Sequence, residues 1–359
     1  MPEKLITGTS CSPAAPKLMK KFFTILIILV MLAGLGIGGL YLWDEHGGAE
    51  NSTPKTGPTP KAVAIFDSRV ISPIVQGNSQ SVIFSSKDGR IYKRSLTDDT
   101  FTELPLPAMP QASIGRIYWS PVGTSFTAVS YVNNSPVMFN YNEGTKKYTT
   151  LPPNILDFDW LPDGLRIALI WQSGDKKSQQ LVVSNADGSG YKKVATLPSP
   201  NYKIRVSPSG SEAMLVSTKP GAADNKIYLV NLADGKYKTL VSTGNSLDAR
   251  WIDSNRILYT QQANPYPRLY VYDLSSGSSL DSGVNADLSR VGYDSFSKQL
   301  VAAVRQADSL SDKIVKVDLQ TAVVEDYYAA SGLAVAELII SPGSVLYVGS
   351  ADGKLYQIK

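Results

Sequence analysis

The feature that most constrains this chain is a short turn motif that recurs at a nearly constant spacing. It is clearest at 119–123 (WSPVG), and it returns at 160–164 (WLPDG) and 206–210 (VSPSG). Four weaker copies begin at Val75, Trp251, Tyr293 and Ile340. Successive copies start 41 to 47 residues apart. A period of this size is typical of the four-stranded blade of a β-propeller.

Each copy of the turn motif lies between two strand-like segments. Residues 155–159 alternate apolar and acidic side chains, and residues 166–171 are rich in Ile, Ala and Leu. Proline presets φ and a following Asp-Gly or Ser-Gly permits a tight reversal, so the motif predicts a hairpin turn. A second strand pair follows, for example 227–231 before the Ala-Asp-Gly of 233–235. Each repeat therefore predicts four strands and no helix.

The first and last strands of the array are predicted to complete one blade. The seventh repeat contains strand-like segments at 337–340, 345–349 and 355–358, and no fourth strand follows them. The apolar segment 62–66 belongs to no repeat. We expect 62–66 to supply the missing outer strand, because closing the ring removes an exposed sheet edge. The predicted fold is therefore an all-β, seven-bladed propeller of antiparallel blades closed by an N-terminal strand.

A transmembrane helix is predicted before the propeller. Residues 22–43 contain no charged side chain, and 22 residues give about 33 Å of helix, enough to cross the hydrocarbon core. The flanking charges are three lysines before the segment and two acids after it: Lys17, Lys20, Lys21, Asp44 and Glu45. The positive-inside rule places the N-terminus in the cytoplasm and the propeller outside. We expect a single-pass signal anchor in the cell membrane, with a cleaved signal peptide as the alternative.

The predicted organisation has four parts. They are a cytoplasmic tail (1–21), the transmembrane helix (22–43), a Gly/Pro/Thr-rich linker (44–61) and the β-propeller (62–359). Within the helix, Gly34 and Gly38 have the GxxxG spacing of a helix-dimer face, which predicts a weak homodimer. Glycine is also common in transmembrane helices generally, and this is the alternative explanation.

The composition excludes several kinds of catalytic site. His46 is the only histidine and Cys11 the only cysteine, and both precede the predicted propeller. This excludes a Ser/His/Asp triad, a histidine-based metal site and an intrachain disulfide. The formal net charge is +4 for the chain, and the propeller is close to balanced, so a nucleic-acid partner is not expected. The sequence predicts no catalytic residue, metal ligand or cofactor.

Charged and aromatic residues within the repeats have both structural and functional interpretations. Asp157 and Asp159 alternate on one strand, which could place them toward a central channel. We favour the structural interpretation, in which these acids accept hydrogen bonds from neighbouring backbone. Three tryptophans recur in register and are expected to pack between blades: Trp119, Trp160 and Trp251. Six lysines on predicted fourth strands either protect sheet edges, which we favour, or bind a polyanion: Lys146, Lys147, Lys192, Lys193, Lys236 and Lys238.

The connections between second and third strands are the predicted binding face. They are minimal in the first and last repeats and longer in the middle ones. Equivalent connections lie on one face of a propeller, where insertions often bind partners, although ordinary loop variation would look the same. Polar and aromatic residues there are the predicted binding residues: Trp171, Gln172, Lys219, Gln261, Gln262, Tyr266, Arg305 and Gln306.

The Trp-Ser-Pro-x-Gly turn is followed by one strand and then by a second strand that ends in Asn or Asp before a turn. This pattern resembles the WD40-like repeats of the TolB family and of prolyl-peptidase propellers. The resemblance covers about residues 62–359 and implies a propeller fold but no particular reaction. The chain differs from the TolB family in its predicted membrane anchor, and from prolyl peptidases in having no hydrolase domain after the propeller.

Together these features predict a membrane-anchored, extracytoplasmic, non-catalytic binding or scaffold module. Its expected partners are the membrane and a protein or glycan in the envelope or outside. The alternative is a glycan hydrolase or lyase that uses two carboxylates in the propeller channel. The two hypotheses differ in whether acidic side chains converge at one mouth of the channel.

Overall fold

The computed structural model describes residues 60–76, 80–107, 114–133, 135–197, 201–218, 225–242, 247–307 and 310–359. Residues from Pro60 to Lys359 form one compact unit of seven four-stranded antiparallel sheets. The innermost strands of neighbouring sheets contact one another, and the last contacts the first. The predicted seven-bladed β-propeller is therefore confirmed.

The predicted tail, transmembrane helix and GxxxG pair lie outside the described residues. Within the described ranges, the structure contains no helix that is both long enough and apolar enough to cross a membrane.

In blades 1 to 6 the strands run outward from the central channel in chain order, and in blade 7 the outer strand is β1 (Ala62–Phe66). Blade 1 contains β2 (Val70–Val75), β3 (Ser81–Ser86), β4 (Ile91–Ser95) and β5 (Phe101–Glu103), and blade 2 contains β6 (Ile114–Trp119), β7 (Phe126–Val132), β8 (Ser135–Asn142) and β9 (Lys147–Thr150). Blade 3 contains β10 (Ile155–Trp160), β11 (Arg166–Gln172), β12 (Gln179–Asn185) and β13 (Lys192–Thr196), and blade 4 contains β14 (Tyr202–Val206), β15 (Glu212–Ser217), β16 (Ile227–Asn231) and β17 (Tyr237–Val241). Blade 5 contains β18 (Asp248–Trp251), β19 (Arg256–Gln261), β20 (Arg268–Asp273) and β21 (Ser278–Asn285), and blade 6 contains β22 (Val291–Asp294), β23 (Gln299–Arg305), β24 (Asp312–Asp318) and β25 (Val324–Ala329). Blade 7 contains β26 (Val335–Ser341), β27 (Ser344–Gly349), β28 (Leu355–Ile358) and β1 (Ala62–Phe66). A 3-10 turn, Leu288–Arg290, precedes β22.

The N-terminal strand closes the ring as predicted. Strand β1 pairs antiparallel with β28, with Ala62 opposite Ile358. The Phe66 ring packs 4.8 Å from that of Phe84 in blade 1, measured between centroids. Ile65 is 4% exposed. Strand β1 therefore supplies backbone pairing to blade 7 and apolar contacts to the seam with blade 1.

The strand directions divide the ring into two faces. First-to-second and third-to-fourth connections share one face, which we call the turn face, and the remaining connections share the opposite, open face. In blade 2 the two turn-face connections touch, since the Thr124 N–H donates to Glu143 (2.7 Å). Gly123 and Gly164 of the turn motif have φ of 66° and 67°, which explains why glycine occupies these positions. Strand β1 begins on the turn face, so the chain enters the ring there.

The core lies between adjacent blades, and the repeated tryptophans join them. The described apolar residues form seven clusters, and one of them joins Ile170 of blade 3 to Ile204 of blade 4. Three indole N–H groups each donate to a carbonyl oxygen of the preceding blade: Trp119 to Ser72 (2.7 Å), Trp160 to Tyr118 (3.1 Å) and Trp251 to Arg205 (3.0 Å). The predicted packing role of these tryptophans is confirmed.

Candidate functional site

The described members of the predicted binding set lie at the open face, at the ends of second strands or in the connections that follow them. These are Trp171, Gln172, Gln261, Gln262, Tyr266, Arg305 and Gln306. Lys219 lies outside the described residues. The common face follows from the topology, and the binding role of these residues remains a prediction.

Several of these side chains hold their own connections in place. Gln172 Nε2 donates to the Ser178 carbonyl (3.1 Å), and Gln172 Oε1 accepts from Gln179 Nε2 (3.1 Å). Gln306 Nε2 donates to the Asp312 carbonyl (3.2 Å). These bonds stabilise the connections, so truncation of either glutamine would affect loop structure as well as any ligand contact.

The structure brings Tyr266 and Arg305 together around a buried acid that the sequence analysis missed. Asp312 is 0% exposed, and its carboxylate lies 2.6 Å from Arg290 Nη2 and 3.2 Å from Arg305 Nε. The other carboxylate oxygen accepts from the Val335 N–H (2.7 Å). The Arg290 guanidinium lies over the Tyr266 ring, 5.6 Å from its centroid. This Asp312 cluster connects blades 5, 6 and 7 beneath the open face.

A cavity of about 910 Å³ occupies the central channel. Its charged lining includes Arg69, Arg116, Asp159, Arg250 and Glu337. A sequence pattern marks three residues of this lining, Ser72, Arg116 and Glu337, and was missed. Counting back three residues from the start of each turn motif gives one serine and six charged residues: Ser72, Arg116, Asp157, Lys203, Asp248, Arg290 and Glu337. All but Arg290 belong to innermost strands, and Arg290 belongs to the Asp312 cluster.

Asp157 and Asp159 satisfy the backbone of the next blade. Asp157 Oδ2 accepts from the Ile204 N–H (2.8 Å) and lies 3.3 Å from Arg205 Nη1. Asp159 Oδ2 accepts from the Val206 N–H (2.8 Å). These N–H groups lie on the channel edge of β14, which has no further strand beside it. The structural interpretation of this acid pair is confirmed.

Burial raises the pKa of both acids, and that of Asp159 reaches about 6, because Arg205 and the amide bonds only partly offset the loss of solvation. The folded ring therefore binds the Asp159 proton more tightly than the unfolded chain does. Its contribution to stability is largest below the unfolded pKa of 3.8 and is lost as pH rises through about 6.

We expect Asp159→Asn to remove this pH dependence. The difference between the free energies of unfolding of variant and parent should increase, in favour of the variant, by up to about 3 kcal/mol between about pH 4 and 7. Urea unfolding across this range would measure the difference. Asp163→Asn is the control, because hydrogen bonds from backbone and Arg166 lower the pKa of Asp163 despite partial burial, so its difference should stay nearly constant between about pH 4 and 7. A constant difference for Asp159→Asn would contradict the prediction.

Glu337 occupies the position of Asp157 in blade 7, but its usual partner is missing. In blade 1 the Ser72 hydroxyl accepts from Ile117 N–H (3.0 Å) of blade 2, as Asp157 accepts from Ile204. The corresponding partner of Glu337 would be Pro73 of blade 1, and proline has no N–H. Glu337 therefore has no N–H of the next blade to accept from at this position. We call it the released carboxylate, and it lines the cavity.

The arginines of the cavity lie close enough to Glu337 to influence it. Burial raises the pKa of Glu337, and Arg116 and Arg250 offset part of that rise. Burial lowers the pKa of Arg250 to about 10, so it stays charged at neutral pH, and its Nη2 donates to the Val291 carbonyl. Asp248, which also lies three residues before a turn motif, is paired with Lys203 at 3.1 Å.

The cavity therefore places one released carboxylate, Glu337, near two of its three arginines, Arg116 and Arg250. This arrangement can bind a ligand that carries both an anionic group and a hydrogen-bond donor. Within the part of the chain that the structure describes, no three His, Cys, Asp or Glu side chains are grouped to hold a metal ion.

Comparison with known proteins identifies the fold only. No family model matches the chain, and no curated protein does. An oligogalacturonate lyase from Vibrio parahaemolyticus is 12% identical over 85% of this chain and 94% of its own, with a TM-score of 0.60. The β-propeller domain of the Trilobed protease from Pyrococcus furiosus, which has an open velcro topology, is 12% identical over 81% and 95%, with a TM-score of 0.55. TolB from Acinetobacter baumannii is 18% identical over 77% and 78%, with a TM-score of 0.44.

Proposed function

We propose that this chain is a membrane-anchored, extracytoplasmic, non-catalytic binding module whose ligand site is the central channel. The anchor is the predicted helix at 22–43. The observation that carries the site is the release of Glu337 by Pro73 within the cavity that also contains Arg116 and Arg250. A half-buried carboxylate without a bonding partner destabilises a fold, and such groups are concentrated at functional sites.

The bonding of the other channel acids favours binding over catalysis. Glycoside cleavage requires two carboxylates that are free to act on one bond. Asp157 and Asp159 are bonded to backbone N–H groups, and Asp248 is paired with Lys203. Glu337 then supplies a single released carboxylate beside two arginines. The ligand we propose carries carboxylate groups for the arginines and an amine or hydroxyl for Glu337.

We expect the ring, residues 60–359, to capture such a ligand from envelope or culture extracts. Glu337→Ala should weaken capture about tenfold or more, since loss of a charged partner typically costs that much. Its melting temperature should stay level or rise, because a desolvated charge is removed. The matched control is Glu325→Ala, which removes an exposed acid from the outer strand of blade 6. Capture would be quantified by titration calorimetry after mass spectrometry identifies the ligand.

Two results would contradict this proposal in different ways. If Glu337→Ala binds normally while Trp171→Ala does not, the binding site lies in the open-face connections. If the captured molecule is cleaved during incubation with the ring, the chain is a hydrolase or lyase, as in the alternative hypothesis.

A further inference from the structure

The turn face of blades 2, 3 and 4 carries a patch of exposed apolar, tyrosine and lysine side chains, which we call the turn-face patch. Leu165 is 68% exposed and Tyr191 is 76% exposed, and Val122 and Tyr237 are also exposed. All four lie in, or directly after, a turn-face connection. Six exposed lysines lie in or beside the third-to-fourth connections of the same blades: Lys146, Lys147, Lys192, Lys193, Lys236 and Lys238.

The lysines of this patch differ from the charged residues of other blades. In blades 5 and 6 the outer-strand acids pair with cations on the adjacent strand, Asp281 with Arg268 and Asp326 with Lys313, both at 2.7 Å. In blades 2 to 4 the adjacent strands β8, β12 and β16 contain no charged residue at all. Edge protection alone would not require three consecutive blades to share this composition.

Four acids near the patch already have partners in the turn-face connections or directly beside them. Glu143 accepts from the Thr124 N–H (2.7 Å), and Asp187 accepts from the Ser189 N–H (2.9 Å). Asp163 pairs with Arg166 at 2.7 Å, and Asp234 pairs with Lys236 at 3.1 Å. The remaining five lysines of the patch are exposed.

The chain enters the ring on this same face. Lys61 N–H donates to the Lys359 carbonyl (2.7 Å) where β1 begins beside the end of β28. The 59 residues before Pro60, which contain the predicted anchor, therefore join the ring at the turn face. Entry point, lysines and exposed tyrosines thus share one side of the propeller.

From these observations we infer that the turn-face patch docks on the surface of an anionic lipid bilayer. The inference rests on the membrane anchor in the proposed function. Tyrosine rings suit the headgroup region, leucine and valine suit the acyl boundary, and lysines suit anionic headgroups. A short tether raises the effective concentration of the ring at the surface, so weak contacts are sufficient for docking. The open face and the channel mouth on that face then remain accessible to a ligand.

Vesicle sedimentation of the ring, residues 60–359, tests this inference without the anchor. The ring should sediment with vesicles of phosphatidylcholine and phosphatidylglycerol (roughly 7:3) and not with phosphatidylcholine alone, and high salt should weaken the association. Lys192→Gln with Lys193→Gln should lower the partition coefficient roughly fivefold per lysine. Leu165→Ser with Tyr191→Ser should lower it further at high salt, where apolar contacts dominate. The matched control is Lys176→Gln with Lys177→Gln, an exposed pair on the open face of blade 3.

Several outcomes would overturn the inference. One is that the ring fails to sediment with either vesicle, and another is that the control pair has the same effect as the patch pair. Binding to dextran sulfate that is stronger than binding to the anionic vesicles, and that Leu165→Ser with Tyr191→Ser does not change, would identify a polyanion site instead. Self-association that Leu165→Ser abolishes would identify an interface between copies. Glu337→Ala should leave vesicle binding unchanged, so failure of the channel proposal is distinguishable from failure of this one.

Discussion

A chain that begins at Ser68 is expected to lose the closed ring. It lacks β1, so the outer edge of β28 is unpaired, and the sites of Ile65 and Phe66 are empty. Truncation of one buried isoleucine or phenylalanine typically costs about 2 to 5 kcal/mol, and here a backbone ladder is lost as well. We therefore expect a fall in melting temperature of about 10 °C or more, or aggregation through the exposed edge.

Calorimetry or circular dichroism of purified rings would measure this effect. The control begins at Pro60, keeps β1, and should melt like the longer chain. Within β1, Ile65→Ala should destabilise the ring by about 2 kcal/mol or more, while Val63→Ala, at a position 39% exposed, should change it little. Equal melting of the chains that begin at Pro60 and Ser68 would show that β1 does not hold the ring closed.

Asp312→Ala is expected to be the most destabilising single substitution. It leaves the guanidinium groups of Arg290 and Arg305 and the N–H of Val335 without their shared acceptor. Removing one partner of a buried ion pair typically costs about 3 to 5 kcal/mol, because the remaining charge stays desolvated. Denaturant unfolding should show this loss, and contacts between blades 6 and 7 should be the first to weaken in hydrogen exchange.

Asp326→Ala provides the matched control in the same blade. Asp326 pairs with Lys313 at 2.7 Å, but its side chain is exposed, so the expected loss is about 0 to 1 kcal/mol. Asp312→Asn keeps one acceptor oxygen and should fall between the two. If Asp312→Ala and Asp326→Ala prove equally mild, the Asp312 cluster does not hold the blades together.

Most of the fold was predictable because local chemistry specifies it repeatedly. The Pro and Gly of the turn motif determine where each hairpin reverses, and the positive φ of Gly123 and Gly164 shows why glycine is needed. The unassigned strand 62–66 and the incomplete seventh repeat predicted closure together. The tryptophans were predicted as packing residues because their spacing matched the repeat, and their indole bonds between blades agree.

The candidate site was harder to predict, because it depends on which blades are neighbours. The column of charges three residues before each turn motif was visible in the sequence. Whether an acid of this column is bonded depends on the next blade: Asp157 accepts from the Ile204 N–H, whereas the residue that corresponds to Ile204 for Glu337 is Pro73, which has no N–H. The Asp312 cluster combines residues from three blades, and no local pattern near Asp312 predicts Arg290 as its partner.

The pairing of the first strand with the last one constrains how the protein is made. Strand β1 is the first strand of the ring to be synthesised, yet it pairs with β28, the last strand of the ring. Six blades can form before β28 is synthesised, but the seventh cannot be completed until then. Contacts this distant in sequence form slowly, and unpaired strands remain open to wrong partners in the meantime. The nascent chain should therefore depend on protection of β1 until β28 has been synthesised, and a premature stop within β28 should yield an open, aggregation-prone ring.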